Sequence, residues 1–412
     1  MTAPESEAAR SLLSASAVRT RAHAMLDLAL QGRLPGLAVD LSRLDAAASL
    51  VIETMKAAYP DLEVPFHSRW RHFAAGGYDR WGMIADARGW TDPVEAARAA
   101  ADMAIVSVLL DAGSGPGWRF LEPATGEVFT RSEGLAVASF AMIVSGLLSG
   151  EPLDPVRVDA EALEDLDEEA LAEAFQVRSD NPLAGLAGRL ELMQALGTVV
   201  AEREDIFALA DAPRPGGIVD ALIARAEGGR LPAARILETV LEALGPIWPS
   251  RLELGGVALG DTWRHPALVT QDATTGLVPL HKLSQWLSYS LIEPLMLAGL
   301  DVTDLDGLTG LAEYRNGGLF IDTGVIRLTD PADLQREHGV DEPLIVGWRS
   351  LTVALLDRVA EVVRARLGRD AESLPLASVL EGGTWAAGRR IAASLRPGGG
   401  PPLKIVSDGT VF

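Results

Sequence analysis

Cysteine is absent from the 412 residues, and lysine nearly so, since only Lys56, Lys282 and Lys404 stand against 33 arginines. Without a thiol, no disulfide, thiolate nucleophile or cysteine-ligated zinc can be built. The arginine excess reads first as coding bias. A basic surface is lacking too. The formal charge of −21 argues against sequence-independent binding to DNA, RNA or anionic membranes. A local arginine cluster can still hold a small anion. No run approaches the about 18 apolar residues of a membrane span; Leu291–Leu300 comes nearest, and Glu293 and Pro294 interrupt it. The segment Met1–Arg10 is polar, with no signal-peptide apolar core, so a cytoplasmic protein is expected. Walker A, dinucleotide-binding, His-Glu-x-x-His and Gly-x-Ser-x-Gly motifs are missing as well, which weighs against NTP hydrolysis, ordinary nicotinamide chemistry and serine hydrolysis.

What is present is a globular composition, 48% apolar and 23% charged. Helical periodicity runs through Ala8–Gln31, Leu44–Ala58, Pro93–Asp111, Ser132–Leu148, Asp159–Phe175, Leu183–Glu202, Leu231–Leu244, Leu280–Glu293 and Leu344–Leu367. Asp92-Pro93 and Asp159 offer helix caps, and Gly32, Gly150, Gly245 and Gly368 offer helix ends. Strand signals are few: a hairpin over Trp118–Leu121 and Glu127–Thr130, loose alternation over Gly318–Leu328, and a tail, Lys404–Phe412, with an Asp408-Gly409 turn. The expectation is a mainly α fold with short β ribbons. It forms one interleaved domain over residues 1–412, with lobes at most at 1–150 and 151–412 and a tail at 397–412.

Chemistry-capable residues concentrate in a few blocks. Trp70-Arg71-His72 recurs as Trp263-Arg264-His265. In the first block, Pro65 suits a helix start and Gly76-Gly77 its end. Helical spacing then puts Phe66, Trp70 and Phe73 toward the core and His67, Ser68, Arg71 and His72 on the other side. Two readings stand there: a substrate-anion site, or Arg69, Arg71 and Arg80 paired with Asp79 and nearby acids. In the block Pro279–Pro294, Lys282, Gln285, Tyr289 and Glu293 form a polar stripe and Leu280, Leu283, Leu287 and Leu291 an apolar one. The polar stripe resembles a cleft lining more than a solvated face, and Pro294 should kink or end the helix. In the block Gly307–Asp322, Asn316-Gly317-Gly318 reads as a turn. It presents Glu313, Tyr314 and Arg315 on one side and Asp322, among Leu319, Phe320 and Ile321, on the other. An isolated carboxylate in apolar company is costly unless paired or used.

The runs His67–Phe73, Gly76-Gly77, Asp79-Arg80, Gly245–Leu252, Gly260–Pro266, His281–Pro294 and Gly307–Asp322 resemble, in order and over nearly the whole chain, the uracil catabolism protein 4 family of bacteria and fungi. Tyr78 and Ala312 depart from the pattern expected of that family. The resemblance implies a place in uracil degradation through ring-opened, ribosylurea-type nucleotides, alongside a ring-opening partner resembling GTP cyclohydrolase II. It carries over no catalytic residues. The helical reading is also similar to nucleosidases of the DNA-glycosylase type, an analogy of fold alone.

These readings converge on hydrolysis of the N-ribosidic bond of a phosphorylated ribosyl-urea. Asp322, Glu313 or Asp261 would serve as the carboxylate, and His281, His265, Gln285 or Tyr314 would supply the urea with a proton or hydrogen bonds. His67, Arg69, Arg71, His72, Arg264, His265, Lys282, Gln285, Tyr314 and Arg315 would bind substrate, the cations taking its phosphate. The blocks are expected to line one cleft. No cofactor, metal, nucleic acid or membrane is called for. Two alternatives remain: a metal-dependent amide or ureide hydrolase with some of His67, His72, His265 and His281 as ligands, and a non-catalytic binder of the ring-opened intermediate.

Overall fold

A computed structural model describes residues 3–210, 212–248 and 252–406. The Asp408-Gly409 turn and Pro249-Ser250-Arg251, from the Gly245–Leu252 run, lie outside these. The fold is mainly α, with short paired strands between the helices.

The chain divides into two compact units, each made of segments distant in sequence. Unit 1 comprises Met1–His67, Ser250–Gln285 and Asp304–Phe412, and unit 2 comprises Ser68–Pro249 and Trp286–Thr303. Two boundaries therefore fall between adjacent chemistry-bearing residues: His67 and Ser68, and Gln285 and Trp286.

In unit 1 the helix Pro343–Leu367 is buried along most of its length and packs on Ala15–Leu30 and Leu44–Ala58. Gly368, at φ 63°, takes the left-handed cap that ends it. Leu37–Val39 pairs antiparallel with Ile326–Leu328, and Thr262–Arg264 with Leu277–Pro279. Ala8–Gln31, read as one helix, is two: the first ends at Ser11, and the Ser14 hydroxyl caps the second by accepting from the Ala17 amide. Gly318–Leu328 yields a strand only at Ile326–Leu328. Asn316-Gly317-Gly318, read as a turn, lies inside the helix Tyr314–Asp322. The glycines serve packing there, because a Cβ on Gly317 would sit 2.7 Å from Trp348 and Thr352 side-chain atoms.

In unit 2, Pro93–Leu109 and Arg131–Val144 form the buried centre. Asp92 caps the former, accepting from the Val94 amide, with Pro93 in the first turn. Asp159 stands at the N-cap of Ala160–Glu164 without a side-chain cap bond; its carboxylate binds Arg157 and the Gly150 amide instead. The hairpin is present as Phe120–Leu121 paired with Val128–Phe129. Asp159–Phe175 is two short helices, Ala160–Glu164 and Glu168–Ala174.

The helix Lys282–Leu297 carries Pro294 inside it and continues a turn beyond. The middle of both stripes is buried, since Gln285 and Tyr289 are as inaccessible as Leu287 and Leu291, while Lys282 and Glu293 are half-buried.

Candidate functional site

The short helix Arg69–Phe73 does not divide its residues as helical spacing predicted. His67, Arg69 and His72 are buried with Trp70 and Phe73, while Phe66 is only half-buried. The polar side chains go inward because partners await them there, and a buried cation needs partners.

In unit 1, His67 Nδ1 lies 2.7 Å from a Glu381 carboxylate oxygen, and its ring centroid is 6.2 Å from that of Trp385. A carboxylate at this distance orients the imidazole ring. Glu381 and Trp385 belong to a stretch where the helix Leu376–Val379 widens into a π-helical turn, Leu380–Thr384, before Trp385–Leu395 resumes α geometry. π turns recur at functional sites, since the extra residue redirects side chains. Gly382 and Gly383 let this turn seat closely on Leu44–Ala58: a Cβ on Gly383 would fall 2.4 Å from a Val51 methyl.

Arg315, in the first turn of Tyr314–Asp322, stacks its guanidinium 4.5 Å from the Trp385 ring centroid and 5.3 Å from that of Tyr314. Its Nε donates to the Tyr314 hydroxyl at 3.0 Å. Its buried Nη1 has no acceptor, and neither Asn316 Oδ1 nor Thr384 Oγ1, both buried, has a hydrogen-bond partner. Three unmet polar atoms thus occur on residues at or beside Trp385 and Arg315, and unmet buried groups are rare enough to need a reason. Glu313 is spent locally, as the helix cap accepting from the Arg315 and Asn316 amides.

Other candidates in unit 1 hold the structure together. Asp261 accepts from both Arg349 Nη atoms, at 2.9 and 2.8 Å, from Trp263 Nε1 and from the Lys282 amide. Burial opposes its ionisation, but Arg349, the Lys282 amide and Trp263 together hold the carboxyl below its usual range. His281, at φ 45°, is buried with Nε2 on the Leu12 carbonyl, and burial pushes its pKa down. His265 accepts from the Ala267 amide through Nδ1, and burial pushes it down to about 4. Neither histidine is a ready proton donor near neutrality. Gln285 exchanges hydrogen bonds with Thr309. Lys282 is half-buried and Arg264 exposed. Asp322 is bound by Arg396 rather than by Arg315.

In unit 2, Arg69 is fully buried. It bonds Ser107 through Nε and Asp111 through Nη1, with the Trp286 ring 5.5 Å away. Its Nη2 and the neighbouring Ser68 hydroxyl have no partner. Burial pulls this guanidinium below its usual pKa, against the pull of Asp111. His72 stands edge-on to Trp286. Arg71 pairs with Glu293 and Arg80 with Glu122. Asp79 is not among the partners; it caps the helix Arg80–Arg88 instead. Among the described residues, no three His, Asp or Glu side chains are grouped to hold a metal ion.

The sequence matches, over residues 11–412, the family described as protein of unknown function (DUF1688). Protein urg3 of Schizosaccharomyces pombe is 37% identical over 414 residues, covering 98% of this chain and 99% of the relative. Uracil catabolism protein 4 of Lachancea kluyveri is 37% identical over 411 residues, covering 91% of each. The chain belongs to this family. For a DUF1688 protein, the His67–Glu381 pair and the Arg315–Trp385 stack are the features of unit 1 most suited to chemistry. Glu381, Thr384 and Trp385 escaped the sequence reading, although Gly382-Gly383 between a carboxylate and Thr-Trp was the available signal.

Proposed function

We propose that this protein acts in uracil catabolism by hydrolysing the N-ribosidic bond of a phosphorylated ribosyl-urea, releasing urea and ribose 5-phosphate. The pathway assignment rests on the name of the Lachancea kluyveri relative, which the chain matches along nearly its whole length. The carrying observation for the chemistry is a guanidinium stacked on Trp385 with an unmet buried N–H, sharing that tryptophan with a carboxylate-oriented histidine.

In this reading Arg315 holds the phosphate, its stacking and fixed charge suiting a dianion. Asn316 Oδ1 accepts from a hydroxyl or urea N–H, and Thr384 supplies a hydroxyl. His67 Nε2 takes a proton from water as it attacks the anomeric carbon, and Glu381 stabilises the imidazolium that forms. The departing urea takes its proton from solvent or from the histidine. Asp261 and Asp322 hold the scaffold.

The test is turnover of ribosylurea 5-phosphate by purified protein, with urea and ribose 5-phosphate followed together. Equimolar appearance of both supports the reading. Release of ammonia or carbon dioxide without ribose 5-phosphate moves the cleavage to the ureide, and tight binding without turnover makes the protein a carrier.

A further inference from the structure

Unit 2 contains a pocket of about 520 Å3 that none of the roles above uses, and its volume is within the range of small-molecule sites. Trp70, Phe73 and Trp81 supply aromatic walls, and Leu297, Pro294 and Ala100 aliphatic ones. The rings are held in place. Trp70 Nε1 donates to the Ser290 carbonyl at 2.8 Å. Trp81 meets Trp70 edge-on at 5.3 Å and stacks on Trp90 at 5.6 Å, and Phe73 is braced by Phe140.

The polar lining is Arg71, Glu293 and Asp79. Arg71 Nη2 donates to Glu293 Oε1 at 2.5 Å, while the buried Arg71 Nε–H has no acceptor. The pair therefore combines an unsatisfied N–H donor with a carboxylate acceptor at an aromatic wall. An amide edge complements this: its C=O accepts from Arg71 Nε and its N–H donates to Glu293. Two carboxylates against one guanidinium leave the lining net negative, which opposes a phosphate group.

We propose that this pocket is a small-molecule site for an uncharged planar cyclic ureide, taken as the free base or its nucleoside and discriminating against the nucleotide. The site is separate in its residues from the hydrolytic reading and does not rest on it.

Uridine, uracil and uridine 5′-monophosphate are titrated into the full-length protein by calorimetry, with tryptophan fluorescence as a second readout. Uridine should bind saturably and the monophosphate at least about tenfold more weakly, because of the two carboxylates. Arg71→Met and Trp81→Ala should each weaken uridine at least about tenfold. Asp79→Asn, which keeps a cap-competent side chain, should narrow the gap between nucleoside and nucleotide. Arg71 and Asp79 are accessible enough for those two variants to report even if Trp81→Ala fails to fold. No saturable binding of base or nucleoside, a monophosphate bound as tightly as uridine, or affinities indifferent to Arg71→Met would each overturn the proposal. Binding is read without turnover, so its failure and that of the hydrolysis reading are separate results.

Discussion

Arg396 closes both of its Nη atoms on the carboxylate of Asp322, at 2.7 and 2.6 Å. The Asp322 side chain is 3% exposed and that of Arg396 26%, so this is a half-shielded, bidentate pair with little carboxylate left for substrate. Asp322→Asn should therefore lower stability by roughly 1–3 kcal/mol. Turnover per folded molecule should stay within about threefold of the parent. Urea titration beside activity normalised to folded protein makes the check. A hundredfold fall in normalised kcat at unchanged stability would return Asp322 to the chemistry.

Glu381→Gln keeps a hydrogen-bonding partner near His67 but removes the charge that stabilises an imidazolium. The expected result is a fall in kcat of about two orders of magnitude, with His67→Asn at least as severe. Because the two act as a unit, the double variant should be little worse than either single one. Additive losses in steady-state kinetics would show that they act independently.

Arg315→Lys preserves charge but loses the planar stack on Trp385 and the fork geometry. KM for a phosphorylated substrate should rise about tenfold or more with a smaller change in kcat. For the dephosphorylated substrate, the same variant should change KM little. Equal effects on both substrates would place Arg315 away from the phosphate.

His265 offers a pH test. Its folded-state pKa is depressed to about 4, below the about 6.5 of the unfolded chain. As pH falls below about 6.5 the unfolded state takes up a proton that the folded state refuses, so stability drops until about pH 4 and is flat above neutrality. For this residue the loss reaches roughly 3 kcal/mol. His281 is shifted in the same direction and adds to the slope. His265→Asn keeps an acceptor for the Ala267 amide but cannot titrate, so urea midpoints from pH 8 to 5 should fall less steeply than in the parent. Parallel curves would rule the contribution out.

Gly388 lies against the helix that carries Arg315, and a Cβ there would stand 2.2 Å from the Arg315 carbonyl oxygen. Gly388→Ala should destabilise by roughly 1–3 kcal/mol through overpacking and also raise KM, because backbone that positions Arg315 must move. A thermal melt and steady-state kinetics on the same preparation test both.

The sequence by itself determined the fold class, most helix positions and family membership. Each rests on information local to a segment or repeated along the chain: apolar spacing in Leu44–Ala58, the Asp92-Pro93 cap, and ordered motifs from His67 to Asp322. Only the tertiary structure decided which acid meets which base. Sequence reading grouped Arg69, Arg71 and Arg80 with Asp79 and nearby acids and settled on no partner for Asp322; the folded chain pairs Arg80 with Glu122 and Asp322 with Arg396. Ion pairs form wherever packing brings two side chains within a few ångströms, and sequence separation places no constraint on that. The same holds for Glu381, 314 residues from His67. Asn316-Gly317-Gly318 shows the converse. Its local preference for a turn is worth only about 1 kcal/mol per residue against a helix, and the close approach to Trp348 that glycine allows outweighs it.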